Sequence, residues 1–237
     1  MSKVFMTASW NHLIMANYVV DPAVLQPYLS GQTELDSFEG KYYVSLVGFL
    51  FDQVRLKGWR IPFHTRFPEV NLRFYVRHKE NGVWKRGVVF ISEIVPKPAI
   101  SWVANTIYKE HYSTMPVKQQ FSMQADQLTV GYSWTKKTVS HQLSVKADPV
   151  SRPLTENSFE EFITEHFWGY SGKPDGKTVE YQVAHPRWNI FPVTNYQVKC
   201  DFGQLYGDKF SFLSHQDPVS VFLAEGSPVQ IFSKNKL

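Results

Sequence analysis

Short strand-like segments, rather than long helical repeats, run through most of this sequence and constrain its fold more than any other feature. Apolar residues alternate with polar ones or form brief continuous runs, as they do in strands. The pattern is clearest around Asn81-Gly82, which lies between the predicted strands Leu72–Arg77 and Val83–Val95. Both turn residues tolerate the positive φ angles of a tight hairpin. The sequence therefore predicts an antiparallel hairpin at this point.

Segments of the same kind recur along the whole chain. The further predicted strands are Tyr42–Phe51, Pro68–Arg77, Gln119–Met123, Leu128–Trp134, Thr138–Val145, Thr178–Val183, Tyr196–Cys200, Phe210–Leu213, Val219–Leu223 and Val229–Phe232. The longest apolar run, Tyr42–Phe51, is far shorter than the ~20 residues of a membrane-spanning helix. We therefore interpret it as a buried strand and predict no membrane association.

Two of the three predicted helices begin at a proline. Asp21-Pro22 predicts a short helix, because aspartate caps and proline fits the first turn. This helix can extend only to about Gln26, because a second proline follows. Pro98 predicts a longer helix, whose apolar residues repeat at the spacing of one helical face: Ile100, Val103, Ala104, Ile107 and Tyr108.

The third predicted helix begins at Ser158, which forms a capping-box pattern with Glu161, and ends at Gly169. Strands and helices in this order do not alternate as βαβ units. The predicted fold class is therefore α+β, mainly antiparallel β, as a barrel or sandwich with helices packed on it. The proline-containing segment Lys146–Asn157 is interpreted as a loop, so residues 1–237 are predicted to form a single domain.

Composition and charge exclude several classes of protein. Hydrophobic residues make up 43% of the chain and charged residues 19%, which excludes intrinsic disorder. The net charge of +4 is dispersed, so nucleic-acid binding is not expected. Cys200 is the single cysteine, which excludes an internal disulfide and favours a reducing compartment. The first residues lack an uninterrupted apolar segment, so we predict no signal peptide and a cytoplasmic protein.

The strand Pro68–Arg77 is the most informative candidate for chemistry. Its apolar residues share one face of the strand, and the other face carries Glu69, Asn71, Arg73, Tyr75 and Arg77. One interpretation places this polar face in water, as in many antiparallel sheets. The other places Glu69 next to Arg73 inside a barrel, where Arg73 would bind a carboxylate by two hydrogen bonds. The residues alone leave both interpretations open.

Other chemistry has weaker support in the sequence. The histidines, among them His64, His111, His166, His185 and His215, do not cluster, so no metal site and no cofactor are predicted. The G-x-S-x-G pattern of a serine hydrolase and the glycine patterns of phosphate loops are absent. Aromatic residues can line an apolar pocket or fill a core, and both roles stay open for four of them: Trp168, Tyr170, Trp188 and Phe191.

Several motifs, in order, give this sequence a family resemblance. The first is F-x-E-x-N-x-R-x-Y-V, present as Phe67, Glu69, Asn71, Arg73, Tyr75 and Val76. The others are Ser45, Gly48 and Phe49 upstream, and Ser158–Tyr170 and His185–Trp188 downstream. Together they resemble the uncharacterised bacterial family DUF2071, which includes the YqjF-type proteins, over nearly the whole chain.

The resemblance implies a fold and sharpens the candidate site. Because the family is grouped by fold with acetoacetate decarboxylase, it implies a cone-shaped, mainly antiparallel β-barrel with a few helices and an interior cavity. It also favours the interior position for Glu69. The tandem lysines of the decarboxylases align with Tyr112 and Ser113, so the Schiff-base nucleophile is missing, and Lys109 is not expected to replace it. The pair Lys136-Lys137 is interpreted as flanking a hairpin.

Two functions therefore follow as expectations. The first is a binding protein for a small, partly apolar carboxylate or carbonyl ligand. Arg73 would be its anchor, Asn71 and Glu69 would orient it, and Trp188 would contribute to an aromatic wall. The second is an enzyme in which Glu69 carries a proton, with His111 or Tyr112 as partner. Lysine-dependent decarboxylation ranks last, and the sequence leaves a homo-oligomer open.

Overall fold

The computed structural model of the chain describes residues 3–108, 110–172, 174 and 176–237. Within these ranges the strands are β1 (Val4–Val20), β2 (Glu34–Leu35), β3 (Tyr42–Leu56), β4 (Phe67–Glu80), β5 (Val83–Val95), β6 (Tyr112–Thr114), β7 (Val117–Met123), β8 (Leu128–Lys136), β9 (Val139–Ala147), β10 (Arg152–Pro153), β11 (Trp168–Ser171), β12 (Val179–Ala184), β13 (Asn189–Phe191), β14 (Val193–Lys199), β15 (Ser220–Phe232) and β16 (Asn235–Lys236). The α-helices are α1 (Pro22–Leu25), α2 (Pro98–Tyr108), α3 (Phe159–Thr164) and α4 (Phe202–Tyr206), and 3-10 turns lie at Gln26–Tyr28 and Asp208–His215.

A large, mostly antiparallel sheet forms the body of the protein. Its longest strands lie side by side in the order β15, β1, β3, β4 and β5, and the path continues through β11 to β12. β12 then pairs again with β15, at Val183 with Ile231 and at Ala184 with Gln230. The chain of paired strands therefore returns to its starting strand and encloses an interior. This architecture, mainly antiparallel β with few helices, confirms the predicted fold class.

A second sheet, in the order β14, β9, β8 and β7, covers the outside of the large one. The main apolar core lies between them and includes Leu72 and Phe74 of β4 together with Tyr132 and Leu143 of the second sheet. A separate core cluster, which includes Phe49 and Tyr75, lies on the inner face. Both faces of β4 are thus covered, so its polar face points into the interior and not into water.

A β-bulge brings an extra side chain to this interior. The pairing of β4 with β5 shifts between Leu72, opposite Ser92, and Arg73, opposite Phe90. Without such a shift, residues three apart on a strand would point to opposite faces. With it, Phe90 and Glu93 both line the interior.

The predicted turns and caps are largely confirmed. Asn81 and Gly82 have φ angles of 49° and 83° and join β4 to β5 as a hairpin. Asp21 caps α1 by accepting a hydrogen bond of 2.8 Å from the amide of Ala23. Ser158 caps α3 by accepting one of 3.2 Å from the amide of Glu161. Short polar side chains at these positions satisfy amides that the first helical turn leaves free.

Gly169 does not end the third helix as predicted. Helix α3 stops at Thr164, and Gly169 lies in β11 opposite Tyr181 of β12. A Cβ atom on Gly169 would lie 2.2 Å from the Tyr181 ring. The glycine is therefore required by the close approach of a tyrosine from the neighbouring strand.

Two strand predictions near the end of the chain are also corrected. Phe210–Leu213 lies in a 3-10 helix, in which Phe210 and Leu213, three residues apart, are both buried. The predicted strands Val219–Leu223 and Val229–Phe232 are parts of one strand, β15, with Gly226 at φ +87° between them. Strand β1 is an addition to the predicted strands, and its alternation is interrupted where His12 adopts a φ of 55°. No helix in the described ranges is long and apolar enough to cross a membrane.

Gly226 offers a test of the packing between β15 and β1. A Cβ atom at this position would lie 2.0 Å from the carbonyl oxygen of Trp10, so we expect Gly226→Ala to be strongly destabilising. Gly82 is a matched control, because its φ is also positive but nothing lies within 4 Å of the position of its Cβ. In urea unfolding, Gly82→Ala should cost about 1–2 kcal/mol, and Gly226→Ala about 2 kcal/mol more. Equal costs would contradict the assigned register.

Candidate ligand cavity

A cavity of about 230 Å³ lies inside the large sheet, beneath helix α2. Ile100, Val103 and Ala104, from the predicted apolar face of α2, line one side of it. Its wall is mainly apolar and is rich in aromatic residues, including Trp10, Phe49, Phe51, Phe90, Trp168 and Trp188. Such a wall suits a small, partly apolar molecule.

Polar side chains converge on one side of this cavity. The register places Asn71 of β4 opposite Glu93 of β5, and Glu93 opposite Tyr112 of β6. Glu69 and Arg73 flank Asn71 on the same face of β4, because they are two residues away on either side. Glu110, just before β6, completes the group.

Glu69 is held at the centre of this polar group. Its carboxylate accepts a hydrogen bond of 3.0 Å from Nδ2 of Asn71 at Oε1 and one of 3.0 Å from the Tyr112 hydroxyl at Oε2. Burial raises the pKa of Glu69 to about 7, against the opposing effects of these two donors and of Arg73. A carboxyl group with such a pKa can both take and give a proton near neutral pH.

Two further carboxyl groups share the cavity. Burial raises the pKa of Glu110 to about 8, although the Tyr181 hydroxyl donates a hydrogen bond of 3.0 Å to its Oε1. Burial and the negative charges of Glu110 and Glu69 raise the pKa of Glu93 well above its usual range. Burial and two of these carboxylates also raise the pKa of Tyr112, which therefore remains a hydrogen-bond donor.

Arg73 brings a positive charge to the cavity without a matching carboxylate. Its Nη2 donates to the carbonyl oxygen of Ile163 at 3.4 Å and contacts the sulfur of Met15 at 3.8 Å. Its Nε is buried and has no hydrogen-bond partner among the described residues. In the described part of the chain, no carboxylate oxygen lies within 4.0 Å of the guanidinium nitrogens.

Two of the histidines that line the cavity have lowered pKa values, which favour their neutral forms. Burial lowers the pKa of His166 to about 4, although its Nε2 lies 3.2 Å from the carboxylate of Asp36. Burial also lowers the pKa of His185, which stacks on Trp188 at 4.2 Å between ring centroids. Trp188 is fixed in turn by a hydrogen bond of 2.8 Å from its Nε1 to Ser227.

The structure brings most of the predicted site residues together. Glu69, Asn71, Arg73, Tyr112 and Trp188 all line the cavity. His111 does not: its side chain is exposed, and its carbonyl oxygen accepts hydrogen bonds from Ser92 Oγ and the Glu93 amide. Tyr112 is therefore the partner of Glu69. Of the four aromatic residues left open, Trp168 and Trp188 line the cavity, whereas Tyr170 and Phe191 belong to the core.

Sequence reasoning missed Glu93 and Glu110. The signal available for Glu93 was its position inside the mainly apolar segment Val88–Val95. A strand with one face in water would show regular alternation of polar and apolar residues, and this segment does not. Glu110 gave no such signal, because it follows a helix, where charged residues are common. Its place in the cavity depends on the parallel pairing of β6 with β5.

No lysine from the described ranges lines the cavity. Lys109 and the side chain of Tyr108 lie outside those ranges. The pair Lys136-Lys137 flanks a hairpin, as predicted: Lys136 ends β8, and Lys137 adopts a φ of 54° in the turn to β9. The Lys136 ammonium donates to the carbonyl oxygen of Gln204 at 2.6 Å.

The fold is that of the acetoacetate decarboxylase-like proteins. The structure of the enduracididine biosynthesis enzyme MppR complexed with pyruvate matches 100% of this chain and 91% of its own, with a TM-score of 0.68 and 12% identity. Acetoacetate decarboxylase from Legionella pneumophila matches 98% of this chain and 86% of its own, with a TM-score of 0.64 and 14% identity. At these identities the likeness establishes the fold alone.

The sequence itself identifies the family. The sequence model of DUF2071, an uncharacterized conserved protein, matches residues 7–228. The chain therefore belongs to DUF2071, which confirms the resemblance found in its motifs. A relative is the uncharacterized protein YqjF of Bacillus subtilis (strain 168), 26% identical over 169 residues, which are 70% of this chain and 67% of YqjF.

The raised carboxyl pKa values predict that stability falls as pH rises. The folded protein binds protons at Glu69 and Glu110 up to pH values near 7 and 8, whereas an unfolded glutamate releases its proton near pH ~4.3. The lowered pKa of His166 acts in the opposite direction, but only below its unfolded value of ~6.5. From pH 6.5 to 8.5 the free energy of unfolding should therefore fall by about 2 kcal/mol.

Urea unfolding at the two pH values measures this change. Glu110→Gln should remove much of the decrease, whereas Glu39→Gln, which replaces an exposed carboxyl outside the cavity, should leave it. A wild-type stability that is constant or increases over this range would contradict the assignment.

Proposed function

We propose that this protein binds a small, partly apolar carboxylate or carbonyl compound in the cavity, with Arg73 as the anchor. The observation that carries the proposal is the state of the half-buried Arg73 guanidinium, which lines the cavity. In the described ranges its Nε has no hydrogen-bond partner, and no carboxylate forms an ion pair with it. A desolvated charge without a partner is costly, and a ligand carboxylate would remove that cost. Arginine also matches a carboxylate with two parallel hydrogen bonds.

The comparisons support the size and chemistry of such a ligand. MppR, which shares the fold, has been solved in complex with pyruvate, a small keto acid. The mainly aromatic wall of the present cavity would contact the apolar part of a ligand of this class. Asn71 and Glu69 would orient its carbonyl group, because they lie beside Arg73 on the same face of β4.

Arg73→Gln tests the anchor. Loss of one charge-assisted pair should weaken the binding of pyruvate and of short monocarboxylates by about 10-fold or more. Arg77→Gln is the matched control, since Arg77 lies on the same strand but pairs with Glu34, and neither lines the cavity. Isothermal titration with both variants and the wild-type protein measures the effect. Equal affinities in all three proteins would contradict the role of Arg73.

A second candidate function is general acid–base catalysis on a carbonyl compound. The observation that favours it is the pair formed by Glu69, whose pKa is raised to about 7, and the Tyr112 hydroxyl at 3.0 Å. Glu69 would remove a proton from the ligand carbon next to the carbonyl group, and the Tyr112 hydroxyl would donate a hydrogen bond to the Glu69 carboxylate. Schiff-base decarboxylation is not proposed, because Tyr112 occupies the position at which the resemblance implies a lysine.

Proton exchange separates the enzyme from the binder. If Glu69 carries protons, the wild-type protein should accelerate deuterium incorporation into the methyl group of pyruvate in D2O, followed by NMR. Glu69→Gln should reduce that rate by about 100-fold or more, because general acid–base groups contribute 10²–10⁴-fold. If the protein is only a binder, neither protein should accelerate exchange, and Glu69→Gln should retain most of the affinity for pyruvate.

A further inference from the structure

The cavity holds more acidic than basic groups. Glu69, Glu93 and Glu110 are exposed by 2%, 2% and 7%, and all three line the cavity. Arg73 is the one Lys or Arg side chain from the described ranges that lines it with them. Glu69 lies on the same face of β4 as Arg73, whereas Glu93 and Glu110 are two further carboxyl groups, and burial favours their protonated, neutral forms. This excess of carboxyl groups lies beyond what the binding of a carboxylate ligand requires.

Two buried side-chain oxygen atoms in the same wall have no hydrogen-bond partner in the part of the chain that the structure describes. One is Oδ1 of Asn71, and the other is Oε2 of Glu93. Asn71 is exposed by 2%, and its Nδ2 is already occupied by Glu69, so Oδ1 is the atom available to a ligand. Asn71 and Glu93 are direct cross-strand neighbours, so both acceptors belong to one small region. A buried acceptor without a donor is costly, and a donor group on a ligand would satisfy it.

The arrangement does not suit a metal ion. In the described part of the chain, no group of three His, Cys, Asp or Glu side chains is close enough to hold one. A larger cation with several N–H donors can instead reach acceptors that are spread over a wall. The aromatic residues Phe90 and Tyr112 in the cavity lining also favour organic cations, which are attracted by ring faces.

We propose that Glu93, Glu110 and Asn71 form a second subsite that binds a protonated amine or amidinium group. The inference rests on the proposed function, because it assigns the other end of the same ligand: the carboxylate meets Arg73, and the cationic nitrogen meets the acidic wall. The ligand class is therefore an amino acid or a related zwitterion with a short apolar spacer. Hydrogen bonds from the ligand would then satisfy three polar atoms that lack a partner among the described residues, namely Arg73 Nε, Asn71 Oδ1 and Glu93 Oε2.

Binding at this subsite must release protons. In the empty cavity the carboxyls hold protons near neutral pH, since burial raises their pKa values. A bound ammonium group stabilises the negatively charged carboxylate, so Glu93 or Glu110 releases its proton to solvent. The ligand's ammonium group keeps its proton, because the pKa of an alkylamine such as lysine is ~10.4. Among the described residues, the other titratable or charged groups that line the cavity are Glu69, Arg73, Tyr112, Tyr181, His64, His166 and His185. Affinity should therefore increase from pH 6 to pH 8.5.

Matched pairs of ligands test the subsite. We would titrate the wild-type protein with 4-aminobutyrate, 5-aminopentanoate and 6-aminohexanoate, and with butyrate, pentanoate and hexanoate. At least one amino acid should bind about 10-fold more tightly than its partner without the amine, and its binding enthalpy should depend on the ionisation enthalpy of the buffer. Hexylamine, which has no carboxylate, tests the cationic subsite without Arg73.

Substitutions assign the effect to the acidic wall. Glu93→Gln should reduce the affinity ratio of amino to unaminated ligand to near one, and Glu110→Gln provides a second variant if the first does not fold. Glu39→Gln, an exposed carboxyl outside the cavity, is the control and should keep the wild-type ratio.

The outcomes separate this inference from the proposed function. A ratio near or below one in the wild-type protein, or an affinity that falls as pH rises, would overturn the cationic subsite and indicate that protonated carboxyls donate to a carbonyl. Failure of hexylamine and of all three amino acids to bind would also overturn it. Binding of hexylamine without any binding of hexanoate would support the subsite and contradict the anchor at Arg73.

Discussion

The burial of both faces of β4 is the constraint on which the rest of the structure depends. One face supplies Leu72 and Phe74 to the core between the two sheets, so the other face must point into the enclosed interior. Glu69, Asn71 and Arg73 lose water there and need partners from other strands. Tyr112 and Asn71 donate hydrogen bonds to Glu69, whereas Nε of Arg73 has no partner among the described residues. The cavity is therefore a consequence of how the sheet closes over a strand with one polar face.

The buried carboxyl groups of the cavity lower the stability of the fold and give the cavity polar groups that a ligand could contact. Three buried carboxyls share one wall, and burial raises the pKa of each of them. Protonation relieves their repulsion, but it does so at a cost in stability that a purely structural core would avoid. Clusters of shifted pKa values in a cavity are a physical indication of a functional site. The same wall carries the groups that the proposed cationic subsite and the proposed proton transfer would use.

The fold is shared with acetoacetate decarboxylase and MppR, but fold alone does not carry a reaction from one protein to another. In this chain a tyrosine stands where the resemblance implies one of the tandem lysines, and its hydroxyl donates to Glu69. A phenol that remains protonated at neutral pH is a hydrogen-bond donor, whereas an amine with a depressed pKa is a nucleophile. One side chain at this position thus separates non-covalent binding or proton transfer from imine chemistry.

Local patterns in the sequence determined what depends on neighbouring residues. They gave the Asn81-Gly82 hairpin, the Asp21 and Ser158 caps, and the single face shared by Glu69, Asn71 and Arg73, because turn geometry and the two-residue strand period are local. They could not predict which face of β4 lies inside. They also could not predict the hydrogen bond between Tyr181 and Glu110, which are 71 residues apart. Gly169 was misassigned because the close approach of Tyr181 from the neighbouring strand decides its role. Phe210 was misassigned because its burial follows the three-residue spacing of a 3-10 helix. Only the return of β12 to β15 and the bulge in β5 decided that three carboxyls and one guanidinium line the same cavity, because both depend on pairing between distant strands.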